Sequence, residues 1–257
     1  MLKNALRLHF LRIDSTNTVA RRLADEGRLP ALVTAERQTA GRGKGARVWH
    51  SPKGCLMFSF VFDRTKYGIS LERSPLLSSV AALAIVDALG TILSPTNAKR
   101  SWIHWPNDIY VSAESGGEGE SKFRKLCGIL TEGLPNGVVL HGIGLNFWNR
   151  TSDAPPDLVE KIVSLCEVEP NLPSDSVEEF LTRFLTFYEE YLALLASAPE
   201  QISAKMNALC VQKGRQIALE TPQGRVVGMC RGIALDGGII IDDKIYYCGE
   251  DFYNTSR

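Results

Sequence analysis

Five short segments of this chain hold residue types that could do chemistry together. The densest runs Gln38-Thr-Ala-Gly-Arg-Gly-Lys-Gly-Ala-Arg-Val-Trp49 and continues into Ser51-Pro-Lys-Gly54. Gly41, Gly43 and Gly45 have no side chains to keep backbone N–H groups away from a ligand. Arg42, Lys44 and Arg47 bring three positive charges to the same loop. Such a loop suits a carboxylate and a phosphate brought together, and Trp49 offers a flat surface for a base. A solvated turn would carry the same composition. A P-loop is excluded, because no Gly-x-x-x-x-Gly-Lys-Ser/Thr runs into a helix.

The other four segments are shorter, and each leaves two readings open. Trp105-Pro-Asn-Asp108 leads into Ile109-Tyr-Val111. Its polar pair at the mouth of an apolar strand would hold a ligand or a metal-bound phosphate, or would cap a turn with Asx side chains. Lys125-Leu-Cys-Gly-Ile-Leu-Thr-Glu132 is either a strand with charged ends or a strand whose lysine neutralises charge developing on a phosphoryl or acyl oxygen. In Gly142-Ile-Gly-Leu-Asn146, glycine in a strand marks close backbone approach, and Asn146 can both donate to and accept from an adenine edge. Asp14-Ser-Thr-Asn17 supplies helix caps, or hydrogen bonds to a urea-like group.

The elements that must position these segments are legible in outline. Asp14 and Ser15 precede a predicted helix over 16–26 that ends at Gly27. Ser74 and Pro75 open a second over 75–89 with Gly90 beyond it; it is apolar nearly all round and so should be buried. Ser176-Val-Glu-Glu179 reads as a capping box opening a third over 176–196, whose aromatic stripe of Phe180, Phe184, Tyr188 and Tyr191 fits core packing. Strand-like runs cover 31–36, 55–62, 108–112, 126–132 and 137–147, with Leu6, Leu8 and Phe10 forming a first strand. The connection Leu134-Pro-Asn-Gly137 favours antiparallel pairing. From about residue 214 to 248 short strands alternate with turns, Asp236-Gly237 being a hairpin signal. The expected fold class is α+β, a mixed and mostly antiparallel sheet with helices. The expected division is a catalytic part over 1–205 and a small β-barrel over 206–257. Residues 112–122, small, polar and acidic, should form a mobile loop.

Composition sets outer bounds. The 257 residues carry 29 basic and 29 acidic side chains, so the net charge of zero lacks the basic excess of a general nucleic-acid binder. No two of the six cysteines are closer than eighteen positions, and the four histidines show no ligand spacing, so no structural metal is expected. Most of the cysteines lie in apolar runs and read as reduced, buried thiols. No apolar run reaches transmembrane length on this reading. The Arg- and Leu-rich start, MLKNALRLHFLRI, is either a mitochondrial address or the first strand, and the strand reading with a cytoplasmic location is preferred.

Taken in order, the five segments resemble the catalytic domain of biotin–protein ligases, also called holocarboxylase synthetases. That pattern runs S-T-N, Q-x-A-G-R-G-R/K with W-x-S-P-x-G, K-W-P-N-D, K-x-x-G-I-L-x-E and G-I-G-x-N. The resemblance covers about residues 8–148, and extends more weakly through Gly214-Arg-Gln-Ile217 and Arg231-Gly-Ile-Ala-Leu-Asp236. It implies a class II synthetase-like fold with a C-terminal SH3-like barrel. It also implies activation of biotin by ATP and transfer to a lysine on the biotin carrier domain of a carboxylase. Ser15, Thr16 and Gln38 would contact the ureido ring. Gly41, Arg42 and Lys44 would fold over biotin and its adenylate. Trp49 and Asn146 would hold adenine. Asn107 and Asp108 would organise the phosphates and Mg²⁺, the ion arriving with ATP. Lys125 would steady the carboxylate–phosphate junction. Lys125, Arg42 and Asp108 are the implied catalytic residues, Asp108 being a candidate to bind the carrier lysine or take its proton.

Three departures from that pattern stand out. His104 replaces the lysine before W-P-N-D, which leads us to expect weaker ATP binding as pH rises past neutrality. The loop reads Gly-Lys-Gly-Ala-Arg where many members have Gly-Arg-Arg-Gly-Arg, so carry-over from Lys44 to Arg47 is open. The 112–122 stretch lengthens the hairpin between Asp108 and Lys125, which costs little. Fourteen residues before Ser15 are too few for the helix-turn-helix of DNA-binding members. A lipoate–protein ligase shares the fold and the acyl-adenylate chemistry but would need a long apolar channel. A non-catalytic biotin sensor would have no use for Lys125, Asp108 and the adenine contacts.

Overall fold

Alternation along three strands decides the architecture. In β3 (Leu56–Asp63), Phe58, Phe60 and Phe62 point to one face and Met57, Ser59 and Val61 to the other. In a computed structural model that describes residues 2–45, 47–112 and 123–251, the three phenylalanines form a core with Phe180, Phe184 and Tyr188. Phe58 meets Phe184 edge-on at 5.3 Å, and Phe60 meets Tyr188 likewise at 5.3 Å. The opposite face carries Val61 and Leu140 against Val19, Ala20 and Leu23.

The main sheet also contains β1 (Leu6–Phe10), β2 (Ala31–Ala35), β4 (Ser101–His104), β5 (Asp108–Ser112), β6 (Phe123–Gly133) and β7 (Val138–Leu145). Its order is β1-β2-β3-β7-β6-β5-β4. Only β1 and β2 run parallel; every other neighbour pair is antiparallel, as expected. The turn at Leu134–Gly137 joins β6 to β7 with Asn136 and Gly137 at φ +58° and +78°. A Cβ on Gly137 would lie 2.6 Å from Thr65 Cγ2, so glycine is required there.

Helix α1 (Thr16–Asp25) covers one face of the sheet. It closes as a Schellman motif, with Gly27 N donating to Ala24 O and Arg28 N to Leu23 O. On the other face lies α2 (Leu77–Ile92), which runs past Gly90 instead of stopping at it and is preceded by a 3-10 turn over Ser74–Leu76. The segment Ser74–Ile92 is long and apolar enough to cross a membrane, contrary to the sequence reading. Its most apolar stretch is 61% buried in this protein's own core. Short turns α3 (Pro95–Ala98), α4 (Pro156–Val159) and α5 (Leu165–Val168) lead to α6 (Ser176–Ser197) and α7 (Pro199–Leu209). The capping box expected at Ser176 is absent. The helix starts at Ser176 as expected, but its N-cap is Asp175, and Ser176 is buried inside the first turn. Strand β4 and helix α7 were not anticipated.

A second sheet follows, built from β8 (Gln216–Thr221), β9 (Gly224–Ile233), β10 (Ile239–Ile241), β11 (Lys244–Tyr246) and β12 (Glu250–Asp251) in the order β11-β10-β9-β8-β12. Gly237, at φ +90°, sits in the turn between β9 and β10. Polar contacts fasten this sheet to the rest. Trp105 Nε1 donates to Gly237 O at 2.9 Å, and Asn207 exchanges two hydrogen bonds with Ile233. The division expected at 205/206 falls inside α7. The acidic stretch 112–122 lies outside the described residues except for Ser112, which ends β5. Cys55, Cys127, Cys210 and Cys230 are buried, Cys166 is half-buried and Cys248 exposed.

One buried titratable group ties β7 to α6. His141 contacts Thr131 Oγ1 through Nδ1 at 2.9 Å and Tyr188 OH through Nε2 at 2.6 Å. Burial pushes its pKa down to about 3. The unfolded chain therefore takes up a proton near pH 6.5 that the folded one refuses until about pH 3. Stability should fall as pH drops through that window, by about 1.4 kcal/mol per pH unit from this residue alone. Urea midpoints between pH 7 and 4 would show the slope. An equal slope in a His141→Gln variant would exclude His141 as its source.

Candidate active site

The same alternation that puts aromatic rings on the helix-packed face leaves small residues on the other. Ser59 pairs with Gly142 across β3 and β7, and Gly144 pairs with Gly128 across β7 and β6. The three glycines form the floor of a cavity of about 260 Å³, with Ser59 beneath it. The sequence-predicted residues Ser15, Thr16, Gln38, Arg42, Lys44, Trp49, Asn107, Asp108, Lys125 and Asn146 all line it. Gly41 does not, but its carbonyl accepts from Trp49 N at 3.1 Å and so closes the loop.

Two glycine gaps are filled by side chains. The Trp49 ring lies on the Gly128–Gly144 pair so closely that a Cβ on Gly144 would stand 2.2 Å from Cε2. The Asn17 carboxamide lies on Gly142, 2.3 Å from where its Cβ would be. Glycine is thus required by contact, as sequence reading of Gly142-Ile-Gly144 expected.

The loop reaches the cavity as a small hairpin. Arg42 bridges Val48, Gly43 N donates to Arg47 O at 2.8 Å, and Lys44 Nζ reaches Gly249 O of the C-terminal unit at 3.2 Å. At the polar end, Gln38 Oε1 accepts from Thr16 N at 2.7 Å and lies 3.1 Å from Thr16 Oγ1. Ser15 is also buried there. At the other end, Lys125 Nζ donates to Asp108 Oδ2 at 2.6 Å and lies 5.6 Å from the Trp49 ring centroid. Asn107 is spent on structure: its side chain donates to Ile129 O, and its carbonyl accepts from Ile129 N. Asn146 is 4% exposed and accepts from Asn149 Nδ2 at 3.3 Å. Among the described lining residues Arg42, Lys44, Arg47 and Lys125 stand against one carboxylate in charge count, that of Asp108, so the lining favours a polyanion.

Some lining residues were missed. Leu158 and Ile162 form an apolar wall above Lys125, held by a parallel bridge between Ile162 and Lys125. They lie in a proline-rich segment with no periodic pattern to announce them. Ser59, beneath the polar end, did carry a signal: it is the one polar residue in Leu56–Phe62. His104 sits on edge strand β4, 7% exposed, its ring tilted 31° to that of Tyr110 at 4.9 Å; it does not line the cavity but pairs in register with Asp108, which does.

Residues 10–147 match the biotin/lipoate A/B protein ligase family, and the chain belongs to it. A biotin–protein ligase of Schizosaccharomyces pombe is 30% identical over 204 residues, which cover 71% of this chain and 28% of that much longer one. A biotin–[acetyl-CoA-carboxylase] ligase of Paracoccus denitrificans is 29% identical over 242 residues, covering 90% of this chain and 91% of that one. The biotin protein ligase of Aquifex aeolicus, solved with biotin and ATP, superposes with a TM-score of 0.76 at 25% identity over 96% of this chain and 97% of that one.

Proposed function

We propose that this chain is an ATP-dependent biotin–protein ligase: it forms biotinyl-5′-AMP and passes the biotinyl group to a lysine of a carrier domain. The observation that carries the reading is one cavity with a hydrogen-bonding end at Ser15, Thr16 and Gln38 and a cationic end at Lys125. A flat aromatic wall, Trp49, stands at the cationic end.

In the first step a biotin carboxylate oxygen bonds to the α-phosphorus and the bond to pyrophosphate breaks. Both reactants are anionic, so cations fixed beforehand lower the barrier. Lys125 is the fixed one, held by Asp108 and placed beside Trp49. Arg42 and Lys44 stand on the loop that would close over the adenylate and exclude water. Trp49 and Asn146 are assigned to adenine, with Gly41 shaping the loop. Asn107 then serves by locking β5 to β6 beside Asp108. In the second step a carrier amine attacks the acyl carbon and AMP leaves. Asp108, the one carboxylate among the described residues that line the cavity, is the proposed site for that amine or its proton.

Mg²⁺ belongs to this reading as the partner of ATP. Among the described residues no group of three or more His, Cys, Asp or Glu could hold a metal. Asp108 alone fits, contributing one ligand to an ion carried by the phosphates. Such an ion would neutralise phosphate charge. The catalytic part up to about residue 205 and the β unit beyond it are retained as the proposed division, with α7 crossing the junction.

The test is the mass of a biotin-carrier domain after incubation with enzyme and biotin, with and without ATP·Mg²⁺. ATP-dependent addition of one biotinyl group is expected. Transfer of lipoate instead would turn the reading to the other branch of the family, and ATP left untouched would leave a binding protein.

A further inference from the structure

Beneath the polar end of the cavity is a chain of oxygens with too few protons. Ser59 Oγ lies 2.5 Å from Asn17 Oδ1 and 2.7 Å from Thr16 Oγ1, and Thr16 Oγ1 lies 3.1 Å from Gln38 Oε1. Only two hydroxyl protons serve these three contacts. The amide orientations are pinned from outside. Asn17 Nδ2 faces Glu132 Oε2 at 3.4 Å, and Glu132 is held by Arg21 at 3.0 Å, so Oδ1 faces Ser59. Gln38 Oε1 already receives Thr16 N at 2.7 Å, so Nε2 is its free donor.

The shortest contacts take the protons. Ser59 donates to Asn17, and Thr16 donates to Ser59. Thr16 Oγ1 is left with lone pairs toward the cavity, while Gln38 Nε2 supplies N–H. An acceptor beside a donor is the complement of a cyclic urea, which offers N–H beside C=O. Ser59 itself is fully buried on an otherwise apolar strand and touches no ligand space. A hydroxyl there costs free energy unless it is bonded.

We infer that Ser59 is a positioning residue that sets the hydrogen-bond polarity of the urea-binding end, acting through Thr16 and Asn17. The inference rests on the proposed biotin reading of that end. Without the Ser59 hydroxyl, Thr16 turns its own proton toward Gln38 or the cavity and meets a ligand N–H with an O–H. Asn17 Oδ1 loses its buried donor as well.

The experiment measures the biotin Kd by calorimetry and the KM values of pyrophosphate release for biotin and for ATP. Ser59→Ala should weaken biotin roughly 10–100-fold and leave the KM for ATP at saturating biotin within about threefold. Ser59→Thr keeps the hydroxyl and should stay near wild type. Thr16→Val breaks the same chain from the cavity side, and the double variant should lose little more than either single one. Equal losses for biotin and ATP, Ser59→Thr as poor as Ser59→Ala, or additive losses would make Ser59 merely structural and overturn the inference. A wild-type protein that binds no biotin would instead overturn the parent reading.

Discussion

Lys125→Ala should slow formation of the acyl-adenylate by roughly 10²–10³-fold, the usual cost of removing one fixed donor from a site of developing charge. The expectation comes from geometry. The Lys125 side chain is one-quarter exposed, its Nζ is paired with Asp108 at 2.6 Å, and it is walled by Trp49 and the Ile162 segment. A lysine so confined is oriented before substrate arrives, so little reorganisation is needed at the transition state. Asp108 is the brace. Removing Lys125 also leaves the Asp108 carboxylate in the cavity unopposed by its partner, where it repels a phosphate. The loss should therefore appear in the rate of pyrophosphate release within a single turnover as well as in the KM for ATP. Asp108→Asn should keep part of the adenylation rate, since an amide can still accept from Lys125. It should lose more in transfer to the carrier, where the carboxylate is proposed to bind the amine or take its proton. A Lys125→Ala protein releasing pyrophosphate within about threefold of wild type would remove Lys125 from the mechanism.

Much of this site was legible in the sequence, because short-range pattern encodes it. Strand alternation alone places Phe58, Phe60 and Phe62 opposite Ser59, and places Gly142 and Gly144 on the floor. Residue type then says what each position can do. What was not legible depends on contacts between distant segments. Leu158 and Ile162 join the cavity because backbone groups at 161–163 pair with Lys125, and nothing in their own neighbourhood signals this. Asn107 resembles a ligand residue by its place beside Asp108, yet its side chain is bonded to β6. His104 also precedes Trp105 in the chain, and the strand order puts it on the edge strand β4, in register with Asp108 and outside the cavity lining. The N-cap at Asp175 shows the limit of cap reading: two adjacent residues are of good cap type, and Ser176 lies buried inside the first turn instead of capping it.

Gly144→Ala should damage the nucleotide end of the site while leaving the urea end intact. The added methyl would stand 2.2 Å from Trp49 Cε2 and 2.5 Å from Nε1, far inside van der Waals contact. The tryptophan cannot sink, because Gly128 lies under its other edge, with Cζ3 2.9 Å from a Cβ there. It must lift off the floor into the space assigned to adenine. Stacking of a base on an aromatic ring is worth about 1–3 kcal/mol, so nucleotide affinity should fall roughly 10–100-fold. Thr16 bonds to Gln38 and to Ser59, not to Trp49, so the biotin Kd should change less than threefold. Calorimetric titration with biotin alone, followed by ATP on the biotin-saturated protein, separates the two ends. Thermal melts of the variant would show whether the sheet has tolerated the methyl. A loss shared equally by biotin and ATP would mean that the clash is relieved by the sheet and not by the ring, and that Trp49 does not serve the nucleotide alone.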